Sequence, residues 1–247
     1  MPKILITPVV FNENIKVQSV MERFLKFRRT GPACGLLDYL VIDDGSTDTT
    51  TQIIEGYQEQ GVKTLKHSQR KGVGAAIRTA IDYARENRYD ILVIMAGNDK
   101  DNPEEIPRLL EPVLKEDFDL VQGSRYLKAG GAGGDMPTYR KIATRLHPWL
   151  FSWMTGRKMT DTTNGFRAFK LSMFQDQRIN LHQAWLDTYE LEPYLLFKAV
   201  ILGFKVKEAP VTKIYPSRKL GYTKMQPFVG WWSILKPLFY LKMGIRR

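Results

Sequence analysis

Four short runs of aliphatic and β-branched residues, Lys3–Val10, Leu36–Asp43, Val62–Lys66 and Ile91–Met95, alternate with Asn14–Phe27, Thr49–Gln60 and Gly72–Asn87, where apolar residues recur at helical spacing. This alternation predicts an α/β domain with an open, mainly parallel sheet flanked by helices. Ligands of such sheets bind beyond the carboxyl ends of the strands. The segments to inspect are therefore Phe11-Asn12-Glu13, Asp43-Asp44-Gly45-Ser46, His67 to Lys71, and Ala96 to Asp101. Farther along, the pattern predicts a helix over Pro103–Lys115 started by its proline, a strand over Asp119–Gly123, a helix over Asn180–Leu202 and a last strand over Lys205–Tyr215. The glycine-rich stretch Lys128–Asp135 reads as a mobile loop, either an ordinary surface loop or a lid beside the site.

With 247 residues and 43% hydrophobic content the chain can bury one full core. The expected organisation is one domain over residues 1–225 and an aromatic, basic segment over 226–247. The formal net charge of +11 narrows the company to polyanions: nucleic acid, phosphorylated small molecules or anionic lipid headgroups. A single cysteine, Cys34, excludes an intramolecular disulfide and suits a reducing, cytoplasmic setting. The apolar run at the N-terminus lacks a signal-peptide cleavage pattern and reads as a buried strand. No run reaches the roughly 18 apolar residues a spanning helix needs, so membrane contact would be peripheral.

The strongest chemical signal is Asp43-Asp44-Gly45-Ser46-Thr47-Asp48 at the end of the second strand. Turn and cap chemistry accounts for Gly45, Ser46 and Thr47. Two adjacent carboxylates at a strand end are left over, and carboxylates there can accept hydrogen bonds from a base or a ribose. Gly72-Val73-Gly74 lacks the third glycine of a dinucleotide fingerprint and follows the third strand, which argues against a nicotinamide cofactor. His67, His147 and His182 are too scattered for a triad or a zinc site and read as structural.

Several blocks, taken in order, resemble the family 2 glycosyltransferases in the branch of dolichyl-phosphate mannose synthase. They are Phe11-Asn12-Glu13, the Asp43–Asp48 run, Arg70 to Ala76, Gly123-Ser124-Arg125-Tyr126, Asp161 with Asn164 to Phe169, and Tyr189-Glu190. The resemblance covers nearly the whole chain before Gln226. It implies a GT-A nucleotide-diphospho-sugar transferase fold and an inverting transfer from a UDP- or GDP-linked sugar to a polyprenyl or dolichyl phosphate. It also implies a donor site drawn from Phe11, Asn12, Glu13, Asp43, Asp44, Ser46, Lys71 and Asn98. Arg125 and Arg140 match positions that hold the lipid phosphate, and Arg218 matches a basic residue near the donor pyrophosphate. Arg167 is expected to brace the fold by pairing with a carboxylate such as Asp161.

One block departs from the family. Aligned on Pro103-Glu104-Glu105-Ile106-Pro107, the two aspartates of the family's Asp-x-Asp metal motif become Ala96 and Asn98, and a following glutamine becomes Lys100. Two alternatives follow. Magnesium or manganese binds weakly through Asn98 with Asp99 or Asp101, or the Lys100 ammonium takes over part of the pyrophosphate neutralisation. A smaller departure is Pro8, one residue earlier than usual.

Two aromatic stretches carry the membrane expectation. Leu146–Met154 holds Trp149 and Trp153 between Arg140, Lys141 and Arg145 on one side and Arg157 and Lys158 on the other. Phe228–Leu241 holds Trp231, Trp232, Phe239 and Tyr240 and is followed by Lys242, Arg246 and Arg247. Such residues suit the headgroup region at the cytoplasmic face of a membrane. The second stretch equally suits a helix packed on the domain or on a membrane partner subunit. Three functions stay open: the polyprenyl-phosphate transferase; a transferase to a glycan or other hydroxyl, which needs a base such as Asp187 or Glu190; and a non-catalytic nucleotide-sugar-binding module. A nucleic-acid partner is disfavoured, because no reading helix or aromatic RNA-binding motif is present.

Overall fold

The computed structural model describes residues 1–30, 37–216 and 229–246. In it β1 (Ile4–Val10), β2 (Leu37–Asp43), β3 (Val62–Lys66) and β4 (Ile91–Ala96) lie parallel in the spatial order β3-β2-β1-β4. The sheet continues through β7 (Arg167–Lys170), antiparallel to both its neighbours, then β5 (Leu120–Ser124), and ends on β8 (Val206–Pro210), parallel to β5. Strand order reverses between β1 and β4, which opens a crevice at their carboxyl ends.

Period-two alternation sends successive side chains to opposite faces. Leu5, Leu40, Ile42, Leu92 and Ile94 join the layer built by α3 (Val73–Glu86), α5 (Thr138–Thr155) and α6 (Leu191–Ile201). Ile4, Ile6, Tyr39, Val41 and Val93 join the layer of α1 (Val17–Thr30), α2 (Thr50–Glu55) and α4 (Ile106–Lys115). Both faces are covered, as the near-continuous apolar runs require. Ahead of α4, a short 3-10 turn over Pro103–Glu105 starts at Asn102, whose side chain accepts the Glu104 N–H.

Three expectations change. The helix expected over Asn180–Leu202 forms only as α6; the preceding residues hold a short 3-10 turn, Ala184–Leu186, that packs its Leu186 into the core. The strand expected over Lys205–Tyr215 is two strands in two sheets, β8 and β9 (Thr212–Tyr215). The glycine stretch is not a loose loop: Gly131–Gly134 forms β6, parallel to β9, with Gly134 opposite Tyr215. Gly134 has φ +73°, and a Cβ there would stand 2.0 Å from the Tyr215 carbonyl oxygen. Glycine is required for the two backbones to approach, so it orders this ribbon instead of loosening it.

α7 (Val229–Lys242) packs on α5 and α6 and places Leu238 in the core. Lys236 reaches Glu190 at 2.7 Å, and His147 of α5 lies 3.2 Å from the Ile234 carbonyl. Among the described residues, no helix is long and apolar enough to cross a membrane.

Candidate active site

The first half of the site is made by the turns after β1 and β2. Asn12 takes a positive φ of 48° and is held by reciprocal bonds: its N–H donates to Ser46 Oγ at 2.9 Å, and its Oδ1 accepts the Thr47 N–H at 2.8 Å. The Glu13 N–H donates to Thr50 Oγ1 at 2.8 Å. Asp43 has no exposed surface; its oxygens accept from the Ser46 N–H at 2.8 Å and the Thr51 hydroxyl at 2.6 Å. Its place in this structure is therefore inside the turn, away from the cleft where a nucleoside contact was expected. Asp44 accepts the N–H groups of Lys71 and Gly72, both at 2.9 Å, and sits 2.9 Å from His67 Nδ1. His67 in turn meets Thr79, so its role is to brace Asp44. Asp44, Phe11, Glu13 and Lys71 line one pocket, and the Arg70 guanidinium stacks 4.3 Å above the Phe11 ring.

Val9, Val73 and Tyr189 line both that pocket and a second, deeper cavity, whose walls include Ala96, Arg125, Arg140, Lys213 and Tyr215. Tyr215 organises the cations there. Lys100 Nζ lies 5.4 Å and Arg140 Cζ 5.7 Å from its ring centroid, and Arg125 donates to its hydroxyl at 2.8 Å. The negative face of an aromatic ring favours such an arrangement. Burial, followed by the charges of Arg140 and Lys213, pulls the Lys100 ammonium down to about 7.

Asp161 pairs with Arg125, which corrects the expectation that Arg167 would be its partner. Arg125 is 4% exposed and grips Asp161 through Nε at 2.6 Å and Nη2 at 2.8 Å. Burial works against both charges, and their mutual attraction prevails: Arg125 holds its proton more tightly than usual, and Asp161 stays below the ordinary carboxylate range. Arg167 instead satisfies backbone carbonyls, those of Asn164 at 2.9 Å and of Glu192 at 2.5 Å among them. Arg125 thus reaches the cavity as an immobilised floor group rather than as a mobile surface cation. Arg218 lies outside the described residues.

The segment after β4 does not have the donor set of a divalent-cation site. Ala96 offers no side-chain ligand. Asn98 Oδ1 is a buried acceptor without a partner and is the one oxygen there that suits a cation. Asp99, at φ 58°, turns away to Arg23 at 2.6 Å and Ser19 at 2.8 Å on α1. Asp101 is 2% exposed, and its oxygens accept from Lys213 Nζ at 2.5 Å and the Ala96 N–H at 2.8 Å. Among the described residues, no group of three His, Cys, Asp or Glu side chains is placed to hold a metal. The residues assigned to a metal from the sequence are therefore not brought together: Asn98 is poised, Asp99 points outward and Asp101 is neutralised.

Lys213 and Tyr215 escaped sequence reading for a physical reason. Alternation in Thr212-Lys213-Ile214-Tyr215 suggests Ile214 inward and Lys213 outward, whereas Ile214 is exposed and Lys213 is buried. The signal was the pairing of Lys213 with Tyr215 at a two-residue interval, which puts both on one face of a strand. The two candidate bases are engaged as well: Asp187 with Arg78 at 2.6 Å, and Glu190 with Lys236 and the Thr188 hydroxyl.

A mostly parallel sheet that carries a turn pocket sharing Val9, Val73 and Tyr189 with a cation-lined cavity is the architecture of a GT-A glycosyltransferase. The profile of the family described as Glycosyl transferase family 2 matches residues 9–178, and the chain belongs to that family. It is 33% identical over 193 residues to an undecaprenyl-phosphate mannosyltransferase of Micrococcus luteus, covering 76% of this chain and 75% of that protein. It is 30% identical over 200 residues to a polyprenol monophosphomannose synthase of Mycolicibacterium smegmatis, covering 80% and 73%. Among solved structures it is similar in fold to glucosyl-3-phosphoglycerate synthase of Mycobacterium tuberculosis in complex with Mn2+, UDP and glucosyl-3-phosphoglycerate, with a TM-score of 0.69, 18% identity, and coverage of 100% of this chain and 81% of that one.

Proposed function

We propose that this protein transfers a sugar, with inversion, from a UDP- or GDP-linked donor to a polyprenyl phosphate at the cytoplasmic face of a membrane. The observation that carries the reading is the continuity of the two pockets. A nucleotide seated against Phe11, Asp44 and Lys71 would direct its diphosphate toward Arg125, Arg140 and Lys213 in the cavity beyond. An acceptor phosphate needs no base, since with a second pKa near 6 it is largely dianionic at neutral pH. Its oxygen attacks the anomeric carbon, the bond from that carbon to the diphosphate oxygen breaks, and the electron pair leaves with the nucleoside diphosphate. The protein's part is to align the two anions and to stabilise the departing one. A hydroxyl acceptor is less well served, because Asp187 and Glu190 are held in ion pairs.

The outer wall of the cavity supports the lipid assignment. It includes Arg140 and Thr144 of α5 and Trp231 and Ile234 of α7. On α5, Ile142, Leu146, Trp149 and Trp153 fall at helical spacing and are exposed, the tryptophans by 65% and 71%, and Trp232 of α7 is 52% exposed. Basic residues flank the α5 stripe, a composition suited to an anionic headgroup layer. A membrane partner subunit could use the same face.

The test is transfer from radiolabelled UDP- and GDP-sugars to undecaprenyl or dolichyl phosphate in vesicles. Label extracted into the lipid phase is the expected result. Label recovered as free sugar or on a glycan acceptor alone would overturn the assignment.

A further inference from the structure

Of the residues described in the wall of the deeper cavity, Arg125, Arg140, Arg167 and Lys213 are basic and Glu192 is the one acid. Other carboxylates close to the site are engaged: Asp161 with Arg125, Asp101 with Lys213 and Glu190 with Lys236. Glu192, half-buried in the first turn of α6, differs. Arg167 Nη1 donates to its backbone carbonyl at 2.5 Å, yet among the described residues no hydrogen bond engages its carboxylate. Its charge is compensated all the same: burial lowers the Arg167 pKa, and the attraction of Glu192, followed by that of Asp161, raises it in return. Ile77, Ile94 and Leu195 line a small apolar void beside Glu192, so the partner its oxygens lack has to come from the larger cavity. Gly165 makes room for the carboxylate, because a Cβ there would stand 2.6 Å from Glu192 Oε1.

A phosphate is repelled by this carboxylate and drawn to Arg125 and Lys213, whereas a hydroxyl can donate a charge-assisted hydrogen bond to it. A neutral sugar carried on a diphosphate brings several hydroxyls into the same cavity. Resting on the transferase reading above, we infer that Glu192 grips the transferred sugar by accepting from one or two of its hydroxyls, and so selects which neutral hexose is used. The two oxygens of one carboxylate can accept from neighbouring hydroxyls, which fixes the orientation of the ring against α6. A sugar without that hydroxyl leaves the carboxylate unpaired, and a site built to hydrogen-bond a hydroxyl rejects the analogue that lacks it.

The experiment is calorimetric titration of the full chain, without acceptor and in millimolar MgCl2. The ligands are UDP, GDP, UDP-glucose, UDP-N-acetylglucosamine and GDP-mannose, followed by the monodeoxy analogues of the sugar nucleotide that binds. One or two of those analogues should bind the parent about tenfold or more weakly than the intact compound. Glu192→Gln should weaken the intact sugar nucleotide about tenfold, change the matching diphosphate by less than about threefold, and no longer distinguish the same analogues. Gly165→Ala, whose methyl meets the movable end of the Glu192 side chain, should reproduce that pattern. Deoxy analogues that all bind the parent within about twofold of the intact compound overturn the inference, and that comparison needs no variant to fold. It is equally overturned if UDP or GDP binds while none of the three sugar nucleotides does. Glu192→Gln that binds the sugar nucleotide as the parent does, and loses only transfer to a hydroxyl acceptor, would make Glu192 a base and overturn it too. The transferase reading falls separately, if neither UDP nor GDP binds the parent.

Discussion

Replacing Arg125 by methionine removes a cation from beneath the cavity and leaves the Asp161 carboxylate at zero exposure without its partner. Breaking one side of a buried pair costs about 3–5 kcal/mol, because the surviving charge has lost both water and counter-ion. The Asp161 oxygens keep backbone donors from Arg125 and Thr163, which places the expectation nearer the lower figure. For a chain of this length each kcal/mol moves the melting temperature by about 2–4 °C, so Arg125→Met should melt roughly 6–20 °C below the parent. Asp161→Asn added to Arg125→Met should return most of the loss, since an amide carries no charge to strand. The assay is thermal unfolding followed by circular dichroism for the parent, both single variants and the double. The refolded double variant then reports on chemistry: if Arg125 also touches the acceptor, its KM for polyprenyl phosphate should rise about tenfold while nucleotide affinity holds. An Arg125→Met melting point within about 2 °C of the parent would refute the buried-pair argument.

His147 is fully buried, and burial brings its pKa from 6.5 down to about 4, so between those values the unfolded chain holds more protons than the folded one. Its stabilising contribution is complete above pH 6.5 and declines as the pH falls toward 4. The parent should lose about 2 kcal/mol between pH 7.5 and 5 from this group, and His147→Gln should show a correspondingly flatter urea-midpoint profile. Tyr215→Leu removes the ring and hydroxyl that hold three cations and should lower transfer about tenfold or more, whereas Tyr215→Phe keeps the ring and should lose less; equal losses would discount the ring contacts. Trp149→Ser with Trp153→Ser should cut sedimentation with anionic vesicles about tenfold or more while leaving UDP or GDP binding in place, and unchanged sedimentation would remove α5 from the membrane contact.

The parts of this protein that its sequence determined are those set by local periodicity and end chemistry. β1 to β4 and α3 lie within a residue or so of the expected bounds, because apolar runs and helical spacing act over neighbouring residues. The turn after β2 was legible for the same reason in Gly45, Ser46 and Thr47, whereas the closing roles of Asn12, which bonds Ser46 and Thr47 across the two turns, and of Asp43 came only with the fold. The tertiary structure alone decided which distant charges meet. Arg125 and Arg167 both stand near family blocks, yet only the packing of the 123–126 and 161–164 segments selects Arg125 for Asp161, across 36 positions. The glycines at 131–134 look loose in isolation and become a strand only because Tyr215 needs a neighbour without a Cβ. Lys213 lies 112 positions from Asp101, and its burial runs against its own polarity. Lys213 is held in the core by the Asp101 carboxylate, and that meeting is a property of the fold rather than of any stretch of chain.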